Sequence, residues 1–135
     1  MTRTWRVAAA LAASMALGAC DNSPTAPALF TTETFDGTVS RLGTSSHNFI
    51  TAQSSATVLR VTSLSPSVVV GLALGTPAVT ATGEVCSITI GQAAVQQGDT
   101  FQVLLEPATY CVMMFDIGNV AESSTVAYSV TVQHR

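Results

Sequence analysis

Residues 124–133, STVAYSVTVQ, alternate without a fault. Val126, Tyr128, Val130 and Val132 fall on one side of an extended chain, and Ala127, Ser129 and Thr131 fall on the other. Successive side chains of a strand point to opposite faces, so this spacing makes one apolar face and one polar face. A helix would scatter the same residues around its circumference. The stretch therefore predicts a strand that covers a core on one side only.

Working back along the chain, the same kind of segment recurs between turn residues. ETFDGTVSR (33–41) sets Phe35, Gly37 and Val39 against Thr34, Asp36 and Thr38. SHNFITAQ (46–53) follows a turn at Leu42-Gly43-Thr44-Ser45. ATVLRVTSL (56–64) sets Leu59 and Val61 against Arg60 and Thr62, with Val58 out of phase. SVVVGLALG (67–75) is apolar on both faces, which predicts a central strand, bounded by Pro66 and Pro77. EVCSITIG (84–91), TFQVLLE (100–106) and TYCVMMFDIG (109–118) complete about eight strands. No stretch carries apolar residues at helical spacing over three turns. An open sheet of this composition would leave an apolar face wet, so the expected fold is an all-β, antiparallel β-sandwich of jelly-roll type over residues 32–135.

Composition narrows the function. The chain has 135 residues, 10% of them charged and 47% hydrophobic, which suits one folded domain and excludes a charged disordered tail. It contains no lysine, and beyond Arg6 only Arg41, Arg60 and Arg135 stand against eight carboxylates. No basic patch is left to neutralise phosphates, so no nucleic-acid partner is expected. The polar surface is built from Ser, Thr, Gln and Asn instead.

The first residues read differently. Arg3 and Arg6 precede VAAALAASMAL (7–17), an apolar run shorter than the roughly 20 residues that span a bilayer. Positive charge, short apolar core and then small residues is the layout of a secretory signal peptide. Leu17 sits at −3 from a cut after Ala19, where an ordinary cleavage site needs a small residue. LGAC (17–20) instead resembles the lipobox of bacterial lipoproteins. The resemblance implies a signal peptide over 1–19, a diacylglyceryl thioether on Cys20, cleavage before it and N-acylation of the freed amine. Two or more chains, at about 0.8 kcal/mol per buried methylene, hold a protein on a membrane where one chain does so only marginally. The plain alternative is a conventional site that leaves Cys20 a free thiol. Residues 20–31, with Pro24 and Pro27 among small polar residues, read as a tether that spans about 30 Å when extended.

Within the domain, TFDGTVSRLGTSSHNFITAQ (34–53), VTSLSPSVVVGLALGTP (61–77), ATYCVMMFDIGNV (108–120) and YSVTVQHR (128–135) resemble the bacterial pre-peptidase C-terminal domain. The match lies in the order of the motifs. Pro107-Ala108-Thr109-Tyr110 departs from the Ala-Gly-Thr-Tyr common in that family, and no protease accompanies the module here. The resemblance implies a β-sandwich, and it offers a second functional reading: an accessory module for a secreted hydrolase or protease on another chain. The first reading is a non-enzymatic lipoprotein anchored in the cell envelope, with polysaccharide or another envelope protein as partner.

Three cysteines remain to be divided. With Cys20 taken by lipid, Cys86 and Cys111 are expected to pair outside the reducing cytosol, the alternative being two buried free thiols. His47 and His134 are expected to be exposed, His134 on a fraying terminus. There is no GxSxG elbow, and no spacing shows any two of Asp36, Glu84, Asp99, Glu106, Asp116 and Glu122 converging, so no catalytic residue and no cofactor beyond the lipid are assigned. Asp116, Asn119 and Glu122 offer oxygen ligands of the kind calcium takes, but Asp-x-Gly-Asn also simply turns a chain, and the turn is the preferred reading.

Overall fold

The computed structural model describes residues 29–135, so the signal peptide, Cys20 and most of the tether lie outside the described residues. Eight strands follow one another: β1 (Thr31–Ser40), β2 (Thr44–Thr51), β3 (Ser55–Ser65), β4 (Val70–Thr80), β5 (Gly83–Val95), β6 (Thr100–Leu105), β7 (Ala108–Phe115) and β8 (Thr125–His134). They form two four-stranded sheets, ordered β1-β8-β3-β6 and β2-β7-β4-β5, with every pairing antiparallel. Only β4 and β5 are consecutive strands in one sheet. Every other connection crosses to the opposite sheet, which is the jelly-roll arrangement.

The core lies between the sheets. The inward row of β8, Val126, Tyr128, Val130 and Val132, is buried, and β8 sits between β1 and β3. Leu59, Val61 and Leu64 from β3 face Leu72 and Leu74 from β4 and Val112 and Met114 from β7 in one cluster. Each such side chain contributes about 1.5–3 kcal/mol of burial. The phase error around Val58 in the sequence has its counterpart a few residues on, where the register of β3 against β8 slips between Val61 and Ser63. This bulge at Thr62 moves the inward positions from odd to even numbers and returns Leu64 to the core.

β4 is central over Val70–Gly75, with β7 on one side and β5 on the other. Pro77 does not bound it; the strand continues to Thr80. The pairing with β7 ends at Gly75, so from Thr76 onward only β5 is hydrogen-bonded to β4. One side of the backbone is then free, and a proline with no N–H is tolerated.

Beyond Gly75 the β4–β5 hairpin becomes an arm that folds back over the outside of its own sheet. Cys86 of β5 is disulfide-bonded to Cys111 of β7, with Cα atoms 5.8 Å apart. Strands that flank a third lie about 9.5 Å apart in a flat sheet, so the arm must curl over β4 to reach β7. A Cβ on Gly75 would stand 2.0 Å from the carbonyl oxygen of Ser87, so only glycine permits this approach. The arm also reaches β2, where Asn48 Nδ2 donates to Glu84 Oε1.

The C-terminal Arg135 is tied rather than frayed. The carbonyl oxygen of Arg135 accepts the amides of Ala52 (2.8 Å) and Gln53 (3.2 Å). Its guanidinium stacks on the Phe30 ring at 4.1 Å. The first strand begins at Thr31, just before the boundary expected at residue 32.

The disulfide closes a sequence separation of 25 residues. In the chain-entropy account such a loop contributes about 3.5 kcal/mol. The Cys86→Ala, Cys111→Ala double variant is expected to lose a stability of that order in urea unfolding under non-reducing conditions.

Candidate functional site

At the β1–β2 edge the space between the sheets is filled by rings. Phe35 of β1 stacks on His47 of β2, centroids 5.2 Å apart. The Tyr128 hydroxyl from β8 donates to Ser45 Oγ at 2.7 Å and lies 2.9 Å from His47 Nε2. With its proton directed to Ser45, that hydroxyl can accept a hydrogen bond from His47 Nε2. Gly37 makes room for it, because a Cβ there would stand 2.6 Å from the Tyr128 oxygen. Burial raises the Tyr128 phenol above its ordinary value; the Ser45 hydrogen bond opposes this and the nearby Asp36 charge adds to it.

Further along the same edge His134 is buried, with Nε2 2.8 Å from Glu33 Oε1 and its ring 5.3 Å from that of Phe49. The expectation of two exposed histidines is therefore corrected. His134 shares the even-numbered parity of Val126 to Val132, and this parity was the available signal. His47 belongs to the same inward row of β2 as Phe49 and Thr51. Neither histidine makes a Ser–His–acid relay: Ser45 is bonded to Tyr128 rather than to His47, and the carboxylate partner of His134 comes without a nucleophile.

Asp116 organises the opposite end of the fold, between β7 and β8. Its Oδ1 accepts the amides of Asn119 (2.9 Å) and Val120 (3.0 Å), and its Oδ2 accepts that of Leu42 (2.8 Å). Burial pushes this carboxyl up, but the amides of Leu42, Val120, Asn119 and Gly118 together outweigh it and hold the acid below its usual range. The Leu42 amide is presented from a left-handed conformation, φ 54°, which leaves its side chain in solvent. Asn119 Nδ2 donates to the Val69 carbonyl at 2.9 Å, and Glu122 pairs with Arg41 at 2.9 Å on the surface. The three residues considered for calcium thus have separate partners, and the segment acts as a turn that ties the β1–β2 turn to the β7–β8 loop. No group of three or more His, Cys, Asp or Glu suited to a metal ion occurs among the described residues.

The other acids considered for paired-carboxylate chemistry are also dispersed. Asp99 Oδ2 accepts the Gln96 amide at 2.9 Å, Glu106 accepts the Ser54 hydroxyl, and Glu84 holds Asn48.

Among the described residues two surface concavities stand out. A groove of about 430 Å³ on the outside of the β3–β8 pair is lined by Arg60, Thr62, Thr131 and Gln97, with the turn at Gly98 as one wall. Its hydrogen-bonding groups are side-chain hydroxyls, an amide and one guanidinium. The second, of about 240 Å³, opens between the sheets at the β5–β6 edge and is largely aliphatic. Neither is legible in the sequence, because one depends on which strands become neighbours and the other on which strands lie at an edge.

Fold and cysteines together define a disulfide-bonded β-sandwich of jelly-roll topology. No known family model matches the chain, and no curated protein matches it either.

Two variants test this description. Tyr128→Phe strands the His47 and Ser45 partners in a half-buried setting and is expected to cost about 1–3 kcal/mol in urea unfolding. Asp116 is held below the ordinary aspartate value of ~3.9, so its contribution is complete above that value and is lost as pH falls through the lower folded one. Asp116→Ala should therefore flatten the acid limb of the stability–pH curve relative to the parent protein.

Proposed function

We propose that this protein is an exported, non-enzymatic lipoprotein that holds one β-sandwich on a membrane of the bacterial cell envelope, for binding or structural duty. One observation carries the reading: the Cys86–Cys111 bond accounts for two of the three cysteines and leaves Cys20 alone outside it. Disulfides persist in oxidising compartments, which matches a chain that begins with a basic and then apolar leader. Cys20 then receives the diacylglyceryl thioether, because only a nucleophilic thiol accepts that group, and its amine is acylated after cleavage. The tether joins the domain at Phe30, beside Arg135 and the β2–β3 turn. The end that carries Leu42 and Asp116 lies at the other end of β1.

The polar groove around Arg60 has the hydrogen-bonding groups that a polysaccharide hydroxyl or an extended envelope polypeptide would meet. Nothing in the reading requires a catalytic group. The decisive variant is Cys20→Ser, expressed in a bacterial host that processes lipoproteins. It is expected to abolish incorporation of labelled palmitate and to move the protein out of the membrane fraction; label retained on the variant contradicts the proposal.

A further inference from the structure

The outer face of the β1-β8-β3-β6 sheet sets one cation among neutral polar side chains. Thr34 pairs with Thr131, Thr131 with Arg60 and Arg60 with Thr100, so these four form a row across all four strands. Arg41 pairs with Glu122 and Arg135 stacks on Phe30, but among the described residues Arg60 has no carboxylate partner. The middle of the row lies in the groove of about 430 Å³, walled by the turn at Gln97 and Gly98. That turn is fixed to β3: the Gly98 amide donates to the Val61 carbonyl at 2.7 Å, and the Val61 amide to the Asp99 carbonyl at 3.0 Å. Gln97 Oε1 accepts the Leu64 amide at 3.3 Å, which commits the oxygen and leaves its N–H groups to donate. Thr62 Oγ1 donates to the Ser129 carbonyl at 3.0 Å, so toward a ligand it only accepts. No carboxylate lines the groove: Asp36 shares the face but lies on β1, two strands from β3, and Asp99 turns Oδ2 to the Gln96 amide.

We propose that this groove binds an acidic polysaccharide, with Arg60 holding the carboxylate of a uronic acid unit. The inference rests on the reading of the domain as a binding module and names the ligand class for its polar groove. A guanidinium and a carboxylate form a charge-assisted, bidentate pair, whereas a neutral glycan would leave the one charge in the groove unanswered. The Gln97 N–H groups and the Thr131 hydroxyl then donate to ring and hydroxyl oxygens, and Thr62 accepts from a hydroxyl. A polypeptide added as a strand needs free backbone groups, but β3 and β8 are inner strands with a neighbour on each side. Nor are there pockets for peptide side chains, because the lining is hydroxyl, amide and guanidinium and the Val61 side chain is fully buried. A nucleic acid or polyphosphate is held by several cations, and the lining has one.

The test titrates the full, oxidised protein in detergent micelles, at neutral pH and low salt, with tetragalacturonate, its methyl ester and tetraglutamate, followed by calorimetry. Saturable binding of tetragalacturonate is expected, with the ester and the peptide each at least about tenfold weaker. Arg60→Gln should weaken tetragalacturonate at least about tenfold and bring it level with the ester. Arg41→Gln, a change to a cation already paired with Glu122, should leave the affinity as it was. Arg60 is exposed, so its replacement leaves the core intact. The measurement does not involve Cys20, so a failed palmitate label leaves it standing and a failed titration leaves the anchor standing. No saturable binding, an ester or a peptide as tight as the uronate, or indifference to Arg60→Gln would overturn the proposal.

Discussion

The row of Val126, Tyr128, Val130 and Val132 on β8 must be kept from water, and most of the architecture follows from that requirement. β8 has neighbours on both sides, so its outward face can be polar while its inward face cannot be exposed. A second sheet has to cover it, and β4 and β7 do so with Leu72, Leu74, Val112 and Met114. Successive strands then alternate between the sheets except at β4 and β5, because each new strand adds to a core already begun on the other side. Two edges are left without a strand to close them. One is sealed by the Phe35, His47 and Tyr128 rings, and the other is the aliphatic cleft.

The disulfide is the second organising contact, and it acts outside the core. It fastens a hairpin arm to the outer face of the sheet. Gly75 supplies the close crossing and Asn48 a further point of attachment. It also divides the cysteines two to one, and the proposal for Cys20 rests on this division. Asp116 has a comparable task at the other end, where one carboxylate gathers amides from two loops and fixes Leu42 in a left-handed turn.

Much of this was legible because period-two burial is a local property. The alternation of 124–133 gave β8 and its buried face, and the double-sided apolar run at 67–75 gave a strand with neighbours on both sides. The cysteine pairing followed from counting. What was not legible depends on contacts far apart in sequence. Pro77 looks like a strand boundary until the loss of β7 as a neighbour explains how it fits inside β4. The arm bends at Gly75 because Ser87 crosses there, and nothing near Gly75 announces it. His134 looked terminal and exposed, yet Glu33 and Phe49, about a hundred and about eighty residues away, enclose it. Asp116, Asn119 and Glu122 lie close in sequence but point to three different partners. The two concavities exist only once the strand order is known.

The division of the three cysteines is the claim on which fold and proposed function meet, and intact mass spectrometry of the protein extracted from its own envelope tests it at once. Without reduction, the account predicts a chain that begins at Cys20, carries the mass of a diacylglyceryl and an acyl group, and is two hydrogens lighter than its reduced form. A chain that keeps its leader, or one in which Cys86 and Cys111 react with a thiol reagent before reduction, would contradict it.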